Sequence, residues 1–382
     1  MKILYILHDT IMGGATISFL KMIEGLRMKG FDISIVVSKR DEKFEKCARR
    51  FASEIVVAPI TKSILPNWEK GILKRVYYLL KFPYSYYKLL IKKRISRRPL
   101  LEIINKINPD IIHTNVGIVH EGFWCAKKLN KPHVWHLREY QDKDFNRVFV
   151  PSKSQFKKYL KQSFVVSITK DIHHYFDLCE SNRHRVIYNG ILPISFSALN
   201  FPKEKFFLCA SRVSWEKGHE DVIRCFSKFH HHYSDYRLVI LGFGEKDYMD
   251  FLQQLSKDLG CADAVEFKGY TDDVGRYMRT ATALVVASYN EGFGRMTAEA
   301  CFYGCMVIGR GTGGTKEIMD ETGGLQFLSN EELLQQMTGI VQMTETEYRQ
   351  KVLKAQSKAI ELYSIENNVN SIEKFYKDIL NK

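Results

Sequence analysis

Short continuous apolar runs alternate with longer segments of helical composition along most of the chain. Residues 3–7, 33–37, 110–114, 133–139, 164–168 and 185–188 read as strands in the first half. Residues 206–210, 237–241, 265–267, 283–287 and 306–309 repeat the series in the second half. Runs that are apolar at every position, rather than at every second one, fit strands buried on both faces of a parallel sheet. Helical segments between them, such as 15–29, complete β-α-β units, so the fold class is α/β. Residues 191–205 have no clear period and read as a linker. The boundaries expected are a first domain over 1–193, a second over 194–361, and a last segment, 362–382, packing back on the first.

The chain is organised around residues 288–304, Ser-Tyr-Asn-Glu-Gly-Phe-Gly-Arg-Met-Thr-Ala-Glu-Ala-Cys-Phe-Tyr-Gly. A buried strand ends where this polar stretch begins, and Gly292 and Gly294 flank Phe293 just before a segment of helical composition. Free N–H groups and the positive dipole end make a helix start a place for an anion, and glycine lets a ligand approach the backbone. Glu291 in the loop and Glu299 one turn into the helix bracket the site, where a carboxylate can accept paired ribose hydroxyls. Read alone, the pair fits equally a loop charge and a favourable acid near a helix start.

Upstream, the strand at 206–210 runs into Ser211-Arg212-Val213-Ser214-Trp215-Glu216-Lys217-Gly218. Arg212 and Lys217 offer a diphosphate one planar fork and one point charge. Gly13-Gly14 stands at an equivalent turn after the first strand, but the dinucleotide pattern G-x-G-x-x-G is absent. His113, His136, Arg138 and Glu139 lie at ends of expected strands, where ligands of parallel sheets gather. Gly242-Phe243-Gly244 is weak evidence by itself, and Asp142-Lys143-Asp144 is a three-residue metal-type match of the kind expected by chance.

At 382 residues, with 45% apolar and 26% charged residues, the chain has room for two cored domains of ordinary composition. Its net charge of +14 is unusual and calls for an anionic partner. Part of it comes from residues 70–98, with ten Lys and Arg and no acid, interleaved with Tyr77, Tyr78, Tyr84, Tyr86 and Tyr87. One or two basic helices, broken near Pro83, fit this segment, lying on an anionic membrane or simply covering the sheet. The eight cysteines lack metal-ligand spacing and read as reduced core thiols of a cytosolic protein. The N-terminal apolar run is too soon interrupted for a signal peptide, and no stretch reaches a membrane span.

The second half resembles the retaining nucleotide-sugar glycosyltransferases of family 4. Ser211-Arg212 with Lys217-Gly218, Leu241-Gly242-Phe243-Gly244-Glu245, Phe267-Lys268-Gly269-Tyr270, the Glu291 and Glu299 pair, and Gly313-Gly314-Thr315-Lys316-Glu317 carry the likeness over residues 205–325. The first half matches more loosely, at Gly13-Gly14 and Asn189-Gly190. The resemblance implies the GT-B architecture of two facing Rossmann-like domains, with a C-terminal helix crossing back to the first. It implies a metal-independent hexosyltransferase that moves a sugar from a nucleotide-diphosphate donor, UDP-sugar favoured, to a glycan or lipid-linked glycan in bacterial surface polysaccharide synthesis. Arg212 and Lys217 would hold the diphosphate, Glu299 the ribose, and Glu291 with Phe293 and Gly294 the donor sugar. Gly242 and Tyr270 complete the donor site, and Gly14 lines it from the other domain. The family's catalytic histidine falls on Arg138, with His136 two residues earlier, so either could reach the donor sugar. Met306 stands where the family usually has proline.

No cofactor beyond the donor substrate, no metal and no nucleic acid are expected. The expected location is cytoplasmic, with peripheral attachment to the inner face of the cell membrane. Two other readings stand beside this one: a GT-B nucleotide-sugar epimerase, and a non-catalytic basic protein that binds membranes or nucleic acid.

Overall fold

A computed structural model describes residues 1–67, 72–145, 147–196, 199 and 201–381, with the backbone alone for 72–79, 144 and 145. Its contacts divide the chain into two compact units, Met1–Gly190 with Ile365–Lys382, and Ile191–Ser364.

The first unit is built on a seven-stranded sheet in the order Glu54–Val57, Asp32–Val37, Lys2–Leu7, Ile111–Thr114, His133–Leu137, Phe164–Ser167, His184–Val186. Every neighbouring pair is parallel, with Ile3 registered against both Ile33 and Ile111. The chain leaves the inner strand Lys2–Leu7 toward one edge and returns to build the other side of the sheet from Ile111–Thr114. The order therefore reverses between Lys2–Leu7 and Ile111–Thr114, which opens a crevice beyond the strand ends. Both faces are buried: Tyr5 packs with Phe19 and Tyr376 on one, while Leu4 and Ile6 meet Leu100 and Ile104 on the other. The two-stranded antiparallel pair of Ile64–Pro66 and Arg147–Phe149 was not legible in the sequence pattern.

The last helix, Ile365–Leu380, buries Val369, Ile372, Phe375, Tyr376 and Ile379, an apolar stripe at helical spacing. It lies against the helix Gly14–Met28, where a Cβ on Gly25 would stand 2.5 Å from Val369. Glycine there permits the close approach.

The basic segment departs from expectation. Ile72–Ile107 is one continuous helix of 36 residues with Pro83 and Pro99 inside it. An internal proline removes one hydrogen bond and costs about 3 kcal/mol. Burial of Leu89, Leu100, Ile104 and Ile107 along the same helix offsets that loss. Lys70 lies outside the described residues, as do the side chains of Lys74, Arg75, Tyr77, Tyr78 and Asp144. The cysteines are all free, but Cys179 is exposed and Cys47 partly so, which corrects the reading of eight core thiols.

The second unit has a six-stranded parallel sheet, Val265–Gly269, Arg237–Leu241, Glu204–Ala210, Ala281–Val286, Met306–Arg310, Leu325–Phe327. Its order reverses between Glu204–Ala210 and Ala281–Val286. The loops that leave these two strands are the two singled out in the sequence.

Candidate functional site

At that reversal, Ser211 to Gly218 leaves one strand and Ala287 to Gly294 leaves the next, and the two loops touch. Tyr289 N–H donates to the Glu216 carbonyl at 3.0 Å. Gly218 caps the helix His219–His230 at φ 68°, and a Cβ there would lie 2.3 Å from the Ala287 carbonyl oxygen, so only glycine serves. Gly294 caps the helix Arg295–Phe302 at φ 85°, ψ 52°, with no side chain bonded to the cap. From below, Gly314 N–H donates to the Glu291 carbonyl at 2.7 Å, and side chains on Gly313 or Gly314 would collide with Glu291 and Phe293. The Gly-Gly pair is what lets the neighbouring helix, Gly313–Thr322, pin the loop.

Between the loops lies a cavity of about 350 Å³ lined by Ser211, Arg212, Lys217, Glu291, Gly294 and Arg295 among others. That is the size of a small-ligand site. Lys217 Nζ donates to Glu291 Oε1 at 2.6 Å, with side chains only 19% and 23% exposed. Arg212 is bound to Glu216 at 2.7 Å and is 68% exposed, so its fork can turn to a ligand at little cost. Arg295 faces Glu299 at 3.4 Å. Each cation thus has a carboxylate partner, and an arriving phosphate would share it. His219, buried beside Ser211, is held down to about 4 chiefly by burial and is neutral at physiological pH.

Arg295 was missed in the sequence. A cation at the first position of a helix opposes the dipole, and that mismatch was the available signal. Arg310 was missed too: its Nε donates to the Ala287 carbonyl at 3.1 Å and Nη2 to Asp221 at 2.6 Å, which ties the second loop to the sheet.

Other expected residues stand outside the cavity lining. A Cβ on Gly242 would lie 1.9 Å from the Ser211 carbonyl oxygen, so its missing side chain serves loop packing rather than ligand approach. Phe293 is buried edge-on against Tyr363. Tyr270 is exposed and stacks on exposed Phe243, centroids 6.1 Å apart, beyond the ends of two strands. Glu299 is ion-paired to Arg295, which does line the cavity.

In the first unit, Gly14 is the exposed first residue of its helix. His136 is fully buried, Arg138 is 6% exposed, and Glu139 is partly buried. Arg138 donates to Asn115 Oδ1 at 3.0 Å, to Asn189 Oδ1 at 2.8 Å and to His136 Nδ1 at 3.4 Å. With Nδ1 of His136 an acceptor, His113 Nε2–H donates to it at 3.2 Å, and His113 Nδ1 accepts from Tyr376 Oη at 2.6 Å. Tyr5 Oη lies 2.9 Å from Tyr376 Oη and extends the chain. Burial drives both histidines well below their ordinary range and lowers Arg138 to about 10, which leaves neutral imidazoles behind a charged guanidinium. His136 therefore orients Arg138 and has no surface to offer a sugar, a correction to its reading as a contact residue.

Asp142 accepts from Tyr175 at 2.5 Å and from Lys153 at 3.3 Å. Among the described residues no group of three or more His, Cys, Asp or Glu is placed to hold a metal ion, and no helix is long and apolar enough to cross a membrane.

Residues 12–193 match glycosyltransferase family 4, and residues 193–358 match glycosyl transferases group 1. An uncharacterised glycosyltransferase of Methanocaldococcus jannaschii is 32% identical over 35% of this chain and 38% of its own. The lipopolysaccharide core biosynthesis mannosyltransferase LpcC of Rhizobium leguminosarum bv. viciae is 27% identical over 36% of this chain and 41% of its own. The chain thus spans about two fifths of the length of these two relatives. Among solved structures, Anabaena HepE in complex with UDP covers 99% of this chain and 100% of its own, with TM-score 0.79 and 17% identity, a likeness of fold. The two matches abut at the boundary between the two units and leave little of the chain outside them, and the chain belongs to the GT-B glycosyltransferases, with a family 4 domain followed by a group 1 domain.

Proposed function

We propose that this glycosyltransferase moves a sugar from a UDP-sugar, with retention at the anomeric carbon, to a glycan or lipid-linked glycan in the synthesis of a bacterial surface polysaccharide. The observation that carries the reading is the cavity of the second unit, where Arg212, Lys217 and Arg295 gather at a helix start whose glycine cap offers no side-chain acceptor. Negative charge develops on the departing diphosphate as its bond to the sugar breaks. Fixed cations and helix N–H groups aimed at that charge lower the barrier, and they supply what a metal supplies in other transferases. We assign Lys217 and Arg212 to the diphosphate, Glu299 to the ribose, Glu291 to the sugar, and the exposed Phe243 and Tyr270 rings to the base. The UDP bound to HepE and the lipopolysaccharide core named for LpcC support the choice of nucleotide and of pathway class.

The first unit takes the acceptor in this reading. Its long helix exposes Leu80, Tyr84, Tyr87, Ile91 and Ile95 at spacings of three and four, beside exposed Lys88 and Lys92. An apolar stripe edged by cations suits an anionic membrane at the cytoplasmic face, where a lipid-linked acceptor would be met. Lys93, by contrast, is 3% exposed and takes no part in that face.

The test is a panel of UDP-, GDP- and ADP-sugars with a mixed glycan acceptor, run in excess chelator. Acceptor-dependent release of UDP that persists in chelator is expected. Product without acceptor would indicate an epimerase, and activity restored only by magnesium or manganese would overturn the metal-free mechanism.

A further inference from the structure

Two adjoining cavities lie on the first unit, between the helix Ile72–Ile107 and the helix Glu121–Leu129. The larger, about 620 Å³, is lined by Arg94, Arg97, Arg98, Lys127 and Lys128 around Trp124. The smaller, about 380 Å³, shares Arg94, Arg97 and Trp124 and adds Lys93 and Tyr159. Arg97 lies over the Trp124 ring at 4.8 Å, which holds its guanidinium in place. Among the described residues Glu102 is the single carboxylate in the two linings, and Arg98 already occupies it at 3.3 Å.

Lys93 is the decisive feature. It is 3% exposed, yet among the described residues its ammonium bonds only the neutral acceptors His120 Nδ1 at 3.2 Å and the Val150 carbonyl at 3.4 Å. Burial, opposed by the charge of Glu121 and helped by that of Arg97, brings it down to about 8. A buried cation without a bonded counter-ion is costly, and gathering five more cations beside it adds repulsion. An anion with several oxygens relieves both at once, since guanidinium forks and ammonium groups match phosphate geometry. Trp124 and Tyr159 supply apolar walls for whatever carries the anion.

We infer that this basic groove binds a phosphoryl group, as a phosphate ester or diphosphate, independently of the donor cavity in the second unit. The group can come from a soluble phosphate compound or from a lipid headgroup, and the two sources are separable.

The experiment uses the full chain in a Lys217→Met background, which removes the donor-cavity ammonium. Inorganic pyrophosphate is titrated calorimetrically, and vesicles of phosphatidylglycerol or phosphatidylcholine are tested by flotation. Arg94→Gln/Arg97→Gln and, on the other helix, Lys127→Gln/Lys128→Gln should each weaken binding at least tenfold. Lys43→Gln/Lys46→Gln, an equal change of charge at exposed positions elsewhere in the unit, should leave it unchanged. Pyrophosphate binding that obeys this pattern supports a soluble phosphate ligand; phosphatidylglycerol binding alone that obeys it supports a headgroup. Failure to bind either probe, or binding that both groove variants retain, overturns the inference.

Discussion

Lys217→Met is the sharpest perturbation of the donor cavity, because the lysine is both half of an ion pair and the candidate diphosphate contact. In the free protein the change leaves Glu291 without its 2.6 Å partner in a site where both side chains are under a quarter exposed. Exposed pairs are worth roughly 0.2–1 kcal/mol and broken buried ones about 3–5. A loss of about 1–2 kcal/mol in unfolding free energy is therefore expected, small enough for the fold to survive. In catalysis the loss is larger, since a contact to charge developing in the transition state is worth about 10²–10³ in turnover. Unfolding in urea, UDP titration and kcat/KM would be measured on Lys217→Met, Glu291→Gln and the double variant. Glu291→Gln should keep UDP affinity within about threefold while losing turnover, because it is assigned to the sugar. The double variant should recover part of the stability but none of the activity. If Lys217→Met turns over within threefold of wild type, the lysine only props Glu291, and the diphosphate assignment is wrong.

Acid should undo the first unit before the second. His113, His120, His133 and His136 are buried there and all depressed, mainly by burial, His133 to about 3. Their folded values lie below the ordinary 6.5, so below that pH the unfolded chain binds protons the folded unit cannot, and stability present above it is lost. At pH 5 His133 alone contributes roughly 2 kcal/mol of destabilisation, and the other three act in the same direction, against the lone buried His219 among described residues of the second unit. Hydrogen exchange resolved by unit between pH 7 and 4.5 checks this, and simultaneous loss of protection in both units refutes it. For the membrane reading, Lys88→Glu/Lys92→Glu should release the protein from phosphatidylglycerol vesicles at low salt, each cation near the surface being worth about 1 kcal/mol. Wild-type protein that stays with the soluble fraction ends that reading.

Most sheet strands and the glycine-rich turns were legible in the sequence because their signals are local, whereas the short strands Glu54–Val57 and Leu325–Phe327 at the sheet edges were not. Burial on both faces writes continuous apolar runs such as 3–7 and 237–241, and a left-handed turn at Gly218 or Gly294 demands the residue that tolerates it. The order of elements along a parallel sheet then determined which loops share a strand end, and so which residues to suspect. What tertiary structure alone decided was the company each side chain keeps. Lys217 and Glu291 are 74 positions apart, and nothing near either announces a 2.6 Å contact. Pro83 and Pro99 carry the local signal of helix ends, but core burial of the same helix overrode it. His136 sat two residues from Arg138 with equal claim to the sugar until Tyr376, 240 positions later, was seen to anchor the histidine chain from the last helix. Lys93 stood within a run of cations, as exposed in pattern as Lys92, and it is a buried charge because the fold brings His120 and Val150 against it. Pattern records whether a position faces water or core on average, whereas charge pairing and desolvation depend on what the folded chain brings from far away.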